Sequence, residues 1–183
     1  MTLITAKFTL DDYHRMIDAG ILAHRPVELL NGDIIEMAPE GEPHAYTNTE
    51  ARDYLIALLG ESAKIRDAKP ISIPSSNSEP EPDLAIVRPL GRAYREHHPY
   101  PEDIFWLIEF SDSSLKKDLD PKAKLYAAAG ILDYWVVNLN AQQVVVLRNP
   151  VNGSYQSEQV LSQGNIFPLA FLDIAVSVQR LLD

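Results

Sequence analysis

Two carboxylates carry the strongest chemical signal in the sequence. Asp83 opens the segment DLAIV directly after Pro82, and Glu109 lies late in the apolar run IFWLIEF. Both segments predict buried strands, and an ionised carboxylate there needs a partner or a cation because burying an unpaired charge is expensive. Two neighbouring acids would bind Mg²⁺ or Mn²⁺, which can bridge a phosphate and activate water. The alternative is that Asp83 caps a turn and Glu109 pairs with an arginine.

A lysine with the right spacing follows in the segment DLDPKAKLYAAAG. Asp118, Lys122 and Tyr126 are four residues apart, hence on one face of a predicted helix. From that face the Lys122 ammonium could support an attacking water or a phosphate oxygen as a compact positive charge. The alternative is a surface ion pair between Asp118 and Lys122, which would contribute little to stability.

Four further polar residues are weaker candidates. Glu28 lies in a predicted hairpin, and His44 lies at the entry of a predicted helix, where the helix dipole favours anions. His44 could contact phosphate or tune a metal site, but a capping or solvent-exposed role stays open for both residues. His97 and His98 lie in an arginine-rich loop and are expected at the surface.

Several other chemistries are excluded by the residue types. The chain contains no cysteine, which excludes disulfides, thiolate zinc sites and a cysteine nucleophile. The serines near Glu109 lack the strand-turn-helix pattern of a hydrolase nucleophile, and no glycine-rich phosphate loop occurs. Any metal must therefore be bound by oxygen or imidazole.

Length and composition predict one packed domain over residues 1–183, since the chain has 46% hydrophobic and 23% charged residues. The sequence contains no signal-peptide pattern and no run of about 18 apolar residues. We therefore expect a cytoplasmic protein with no membrane partner.

Charge is the main argument against a nucleic-acid substrate. The net charge is −10, whereas phosphate contacts favour lysine and arginine. Basic residues are concentrated in the middle of the chain, however, and could form a local positive surface. Arg88, Arg92 and Arg95 are the predicted phosphate contacts.

Hydrophobic periodicity and turn residues predict the order of the elements. The expected elements are a helix capped by Thr9, a hairpin at 27–37, a helix at 44–59, strands at 63–74, 83–87 and 104–110, a helix at 118–129, strands at 133–139 and 143–149, and a turn at 152–153. The terminal segment DIAVSVQRLL is of uncertain type. From residue 44 onward the order is helix, three strands, helix, strand, which predicts an α/β sheet with ligands at its strand ends.

The segments VELLNGDIIEMAPEGEPH, EPDLAIV and LIEFSDSSLKKDLDPKAKLYAAAGILDYWVVNL together resemble the Uma (Uma-two) family of putative restriction endonucleases. The resemblance spans most of the chain. It implies an α/β restriction-endonuclease-like PD-(D/E)XK core, with an N-terminal helix and hairpin and C-terminal β additions. It also implies that Asp83 and Glu109 are the metal-binding acids.

One position departs from the PD-(D/E)XK motif. Ser111 stands two residues after Glu109, where that motif has a lysine. The Uma pattern places its lysine at Lys122. We therefore infer that Lys122, on the predicted helix, takes the role of the motif lysine. Glu28 and His44 match the family's N-terminal acid and histidine positions and are expected to assist catalysis.

The resemblance implies a Mg²⁺- or Mn²⁺-dependent endonuclease that hydrolyses DNA phosphodiester bonds. Cleavage of both duplex strands suggests a homodimer by analogy. Two alternatives stay open: a catalytically weak or inactive nucleic-acid or protein interaction domain with the same fold, and an enzyme that cleaves RNA or nucleotides.

Overall fold

The computed structural model describes residues 5–183, which fold around a six-stranded mixed sheet. The helices are α1 (Leu10–Asp18), α2 (Glu42–Leu59), α3 (Leu115–Lys117), α4 (Ala123–Ala128) and α5 (Val178–Leu182), with a π-helical turn at Asp118–Lys122 between α3 and α4. The strands are β1 (Val27–Leu30), β2 (Asp33–Glu36), β3 (Lys64–Asp67), β4 (Leu84–Val87), β5 (Ile104–Ser111), β6 (Asp133–Asn138), β7 (Gln143–Val151), β8 (Ser154–Leu161), β9 (Asn165–Ile166) and β10 (Val176–Ser177).

The main sheet has the order β3-β4-β5-β6-β7-β8. β5 and β6 run parallel, and the other neighbours are antiparallel. The parallel pair needs a crossover, which α3, the π-helical turn and α4 supply. The order from α2 onward is helix, three strands, helix, strand, so the predicted α/β core and its C-terminal β additions are confirmed. No helix within residues 5–183 combines the length and apolarity needed to cross a membrane.

Successive side chains of each strand point to opposite faces of the sheet, and both faces are apolar. On β5, Trp106 and Phe110 pack in the core beneath α2 and α5. Leu107 points to the opposite face, where it packs with Tyr126 of α4. Glu109 lies two residues after Leu107 and therefore points to the same face. The strand thus directs the Glu109 carboxylate towards the crossover segment.

The N-terminal helix and hairpin form as predicted. Thr9 caps α1: its hydroxyl accepts a hydrogen bond from the Asp12 amide, and the Asp12 carboxylate accepts one from the Thr9 amide. β1 and β2 pair antiparallel around Asn31 and Gly32, whose φ angles are 51° and 78°. These left-handed conformations suit an asparagine-glycine turn.

Two boundaries differ from the prediction. The strand expected at 63–74 ends at Asp67, because Ala68 has a φ of 44° and the following segment contains Pro70, which has no amide hydrogen to donate to a sheet. The helix expected at 118–129 begins three residues earlier and contains a π-helical turn. The terminal segment of uncertain type forms β10 and α5.

A buried acid fixes the start of β6. Asp133 is fully buried and accepts hydrogen bonds from the indole of Trp135 at 2.6 Å, the guanidinium of Arg148 at 2.8 and 3.1 Å, and the amide of Leu169 at 3.0 Å. The carboxylate therefore joins β6, β7 and the segment before β10.

We expect Arg148→Ala to lower the free energy of unfolding by about 3 kcal/mol, because it leaves the Asp133 charge buried without its cation. Urea denaturation measures this difference. Arg92→Ala removes an exposed arginine and serves as the control. Equal stabilities of the two variants would contradict the structural role of the pair.

Candidate active site

The register of the sheet brings the two predicted acids together. Leu84 on β4 pairs with Ile108 on the antiparallel β5, so the next pair outward is Asp83 opposite Glu109. The amide of Phe110 donates a hydrogen bond of 2.6 Å to Asp83 Oδ2. Asp83 and Glu109 line one cavity of about 600 Å³ at this end of the sheet.

The cavity lies between the segment before α2, the ends of β4 and β5, and the crossover. Its lining includes six acids and two lysines: Glu40, Glu81, Asp83, Glu109, Asp112, Asp118, Lys117 and Lys122. His44 completes the ionisable groups of the wall. An excess of carboxylates at one site favours the binding of a cation.

Glu109 is held by two donors from the crossover. The Lys122 ammonium lies 2.8 Å from Glu109 Oε1, and the Tyr126 hydroxyl donates to the same oxygen at 3.0 Å. Lys122 is only 3% exposed. The partner of Glu109 is thus a lysine and not an arginine, and the alternative of a surface Asp118–Lys122 ion pair is wrong.

The π-helical turn explains how Lys122 reaches this position. Its wider hydrogen-bonding pattern accommodates Pro121 inside the helical segment, where an ordinary α-helix would be disrupted. Asp118, at its start, accepts hydrogen bonds from the hydroxyls of Ser111 and Ser114. Ser111, which replaces the motif lysine, therefore anchors the turn that carries the lysine.

Burial and charge perturb the groups around Glu109. Burial raises the pKa of the Glu109 carboxyl to about 8, although the Lys122 ammonium opposes this rise. Burial alone would lower the pKa of Lys122, but the nearby Glu109, Glu28 and Asp118 carboxylates raise it. Lys122 therefore carries its proton at neutral pH, and a carboxyl that titrates near neutrality faces the cavity.

A second group of ligands surrounds Asp83. His44 Nε2 lies 3.0 Å from Asp83 Oδ2, and His44 Nδ1 lies 3.6 Å from a Glu40 oxygen. These three side chains offer ligand atoms that all lie within 4.8 Å of one another. Burial alone would lower the pKa of His44, but the hydrogen bond and charge of Asp83 raise it.

Glu28 lies beneath the cavity and not in its wall. It is fully buried, and its carboxylate lies 3.2 Å from the Lys117 ammonium and 3.6 Å from that of Lys122. The Glu81 amide donates a further hydrogen bond of 3.3 Å. The hairpin thus supplies a charge that links two lysines of the crossover.

Glu40 and Lys117 are among the cavity residues that sequence reasoning did not select as site candidates. Neither has a motif of its own: Glu40 lies in a proline- and glycine-containing loop, and Lys117 follows another lysine. A helical spacing of four between Glu40 and His44 was the available signal for the acid.

The arginines predicted to contact phosphate lie elsewhere. Asp83 precedes β4 and Arg88 follows it, so the strand separates them by about 16 Å. Arg88 Nε donates to the carbonyl of Glu102, and Arg92 and Arg95 belong to the 3₁₀ turn Gly91–Arg95. These residues therefore do not form the wall of the acidic cavity.

The two histidines of that loop are partly buried, not simply exposed. His97 stacks on Tyr100, with ring centroids 4.5 Å apart, and His98 Nδ1 lies 3.3 Å from the Arg66 guanidinium. Both line a smaller cavity of about 300 Å³. The acidic cavity and this one are separate.

The acids of the main cavity have the oxygens that a hard cation requires. Asp83 Oδ2 and Glu109 Oε1 accept the hydrogen bonds described above, while within residues 5–183 Asp83 Oδ1 and Glu109 Oε2 accept none. Each carboxylate is thus oriented through one oxygen and offers the other. Carboxylate oxygens with a neighbouring imidazole suit Mg²⁺ or Mn²⁺.

Comparisons with known proteins agree with this fold. A crystal structure of a putative nuclease belonging to DUF820 from Anabaena variabilis matches with a TM-score of 0.69 and 16% sequence identity, covering 96% of this chain and 97% of the other. No curated protein matches the sequence. A family model described as Uma2, putative restriction endonuclease, matches residues 10–179. This chain therefore belongs to the Uma2 family.

Proposed function

We propose that the protein is an endonuclease that depends on a divalent metal and hydrolyses DNA phosphodiester bonds. The observation that carries the proposal is the opposed pair Asp83 and Glu109, each with one oriented oxygen and one free oxygen, beside the buried amine of Lys122. Membership of a family of putative restriction endonucleases supports a nucleic-acid substrate.

Asp83 and Glu109 are the proposed ligands of Mg²⁺ or Mn²⁺. A bound cation would polarise the phosphate and lower the pKa of a coordinated water. His44 holds Asp83 through the hydrogen bond to Oδ2, and Glu40 brings a further carboxylate to the same side of the cavity. His44 must be neutral to act as a ligand itself.

Lys122 and Tyr126 fix the other acid. Both donate to Glu109 Oε1, which restricts the rotation of the carboxylate and leaves Oε2 without a hydrogen bond among residues 5–183. We propose that Lys122 also orients the attacking water, because its ammonium lies against Glu109. Glu28 assists by keeping the buried ammonium charged.

An interaction domain without catalysis is the second candidate function. The net charge of −10 and the six acids of the cavity favour it over a DNA enzyme. Divalent-metal affinity at Asp83 and Glu109 separates the two functions. A panel of RNA, single-stranded DNA and duplex DNA separates the substrate classes.

We also propose a cytoplasmic location and a homodimer. The dimer rests on the analogy with enzymes that cut both strands of a duplex. Sedimentation equilibrium with and without duplex DNA distinguishes a constitutive dimer from one that forms on the substrate.

We expect nicking of supercoiled plasmid in Mg²⁺ or Mn²⁺, and we expect Asp83→Asn and Glu109→Gln each to reduce its rate about 100-fold or more. This is the scale expected when one electrostatic stabiliser of a transition state is lost. Asp83→Asn preserves shape at a partly exposed position, so its melting temperature should stay equal or rise. Glu109→Gln leaves the buried Lys122 ammonium with Glu28 as its carboxylate partner among residues 5–183, so its melting temperature should fall.

Asp120→Asn is the matched control, because Asp120 is an exposed acid of the same crossover and pairs with Lys124. It should cleave at the parent rate. Cleavage that survives in Asp83→Asn would refute the assigned site. A parent that cleaves no member of the nucleic-acid panel in Mg²⁺ or Mn²⁺ would favour the interaction domain.

Mn²⁺ affinity should rise with pH and level off above about 8. Below that value the cation displaces a proton from Glu109, whose pKa burial raises to about 8. Affinity should therefore change by about tenfold per pH unit when one proton is displaced. Calorimetric titration at several pH values measures this slope.

Glu109→Gln provides the control for the pH experiment. It should bind Mn²⁺ more weakly and with a shallower slope just below pH 8, since Gln does not titrate. A parent whose affinity is independent of pH would show that Glu109 is not a ligand.

A further inference from the structure

The amine predicted from the sequence is enclosed by carboxylates. The Lys122 ammonium lies 2.8 Å from Glu109 and 3.6 Å from Glu28, and the side chain is 3% exposed. An ammonium in this position can hold Glu109 and a water beside it. A phosphate of a large polymer, in contrast, must approach from the open side of the cavity.

Lys117 is the more exposed of the two lysines that line the cavity. Its side chain lines the same cavity and is 32% exposed. Its ammonium makes one ion pair among residues 5–183, with Glu28 Oε1 at 3.2 Å. Of the two lysines in the cavity wall, Lys117 is thus the one that solvent and a ligand can reach.

The π-helical turn places both lysines on one side of the crossover. Residues five apart in an ordinary α-helix are separated by about 140° around the axis. The i to i+5 hydrogen bonding of a π-helix widens the turn and reduces this angle. Lys117 directly precedes the turn and Lys122 ends it, and both reach the Glu28 carboxylate.

Glu28 can release Lys117 without becoming an unpaired buried charge. Its other oxygen, Oε2, accepts a hydrogen bond from the Glu81 amide at 3.3 Å and lies 3.6 Å from Lys122. Glu28 is fully buried, so Lys117 can leave only because these two partners remain with its carboxylate. A phosphate oxygen could therefore take the place of Glu28 Oε1.

The charge of the cavity makes such a contact necessary. Six carboxylates line the wall, and a phosphodiester that enters would be repelled by those that a metal does not neutralise. The arginines at 88, 92 and 95 lie at the other end of β4 and cannot offset this repulsion at short range. Lys117 is placed to do so.

We infer that Lys117 is a catalytic residue whose ammonium binds a non-bridging oxygen of the scissile phosphodiester. Lys122 is then the positioning residue that holds Glu109 and the attacking water. This division of roles rests on the proposed function. It assigns the phosphate contact to a residue that is not one of the evenly spaced Asp118, Lys122 and Tyr126.

The first test compares Lys117→Gln, Lys117→Arg and the matched control Lys116→Gln. Lys116 is the adjacent lysine, is exposed and does not line the cavity. Binding of a fluorescent DNA duplex is measured in Ca²⁺, with the salt concentration varied, and plasmid nicking is measured in Mg²⁺.

Lys117→Gln should weaken DNA binding about tenfold, the scale of one charge-assisted hydrogen bond. The slope of log affinity against log salt should fall by about 0.9, as expected for one lost phosphate contact. Lys117→Arg should restore the slope, and Lys116→Gln should change both quantities less. An affinity and slope in Lys117→Gln equal to those of Lys116→Gln would overturn the inference.

A second probe keeps the outcome clear if DNA is the wrong substrate. Lys116 and Lys117 are acetylated with acetic anhydride in Mg²⁺, with and without pyrophosphate. Mass spectrometry measures the extent of acetylation of each lysine. Selective protection of Lys117 without any DNA binding would retain the phosphate contact and refute DNA as substrate. Equal labelling of Lys117 and Lys116 under all conditions would overturn the assignment.

Discussion

The buried ion pair between Glu109 and Lys122 is the interaction on which the rest of the site depends. A carboxylate inside a sheet of this kind is costly unless a cation accompanies it. β5 directs Glu109 into the apolar face that packs against the crossover, and the crossover supplies an ammonium and a tyrosine hydroxyl to the carboxylate. Burial raises the pKa of Glu109 to about 8, although Lys122 opposes this rise. A cation at the free oxygen would oppose it further.

Two local features of the chain make this arrangement possible. The antiparallel register of β4 and β5 places Asp83, directly before β4, opposite Glu109 of β5, so the sheet holds the two acids side by side. The π-helical turn, anchored by Ser111 through Asp118, delivers Lys122 from the opposite layer. Together they form an acidic cavity in which Asp83 and Glu109, the proposed metal ligands, are each held through one oxygen by hydrogen bonds.

The sequence predicted the core well because its signals are local. Alternating apolar residues revealed the strands, and the asparagine-glycine pair revealed the hairpin. Asp83 and Glu109 stood out because charges rarely occupy such strands. The end of β3 was missed because Ala68, unlike glycine, gives no sign of a positive φ. The place of Lys117 depends on its tertiary contact with Glu28, and the π-helical turn is anchored by the bond from Ser111 to Asp118; no sequence pattern encodes either contact.

Anomalous diffraction from crystals soaked in Mn²⁺ tests the central claim most directly, because it locates the cation independently of turnover. The account predicts a peak coordinated by Asp83 Oδ1 and Glu109 Oε2, with Lys122 still bound to Glu109 Oε1. A peak held by Glu40 and His44 without Glu109, or the absence of any peak in the cavity, would contradict it.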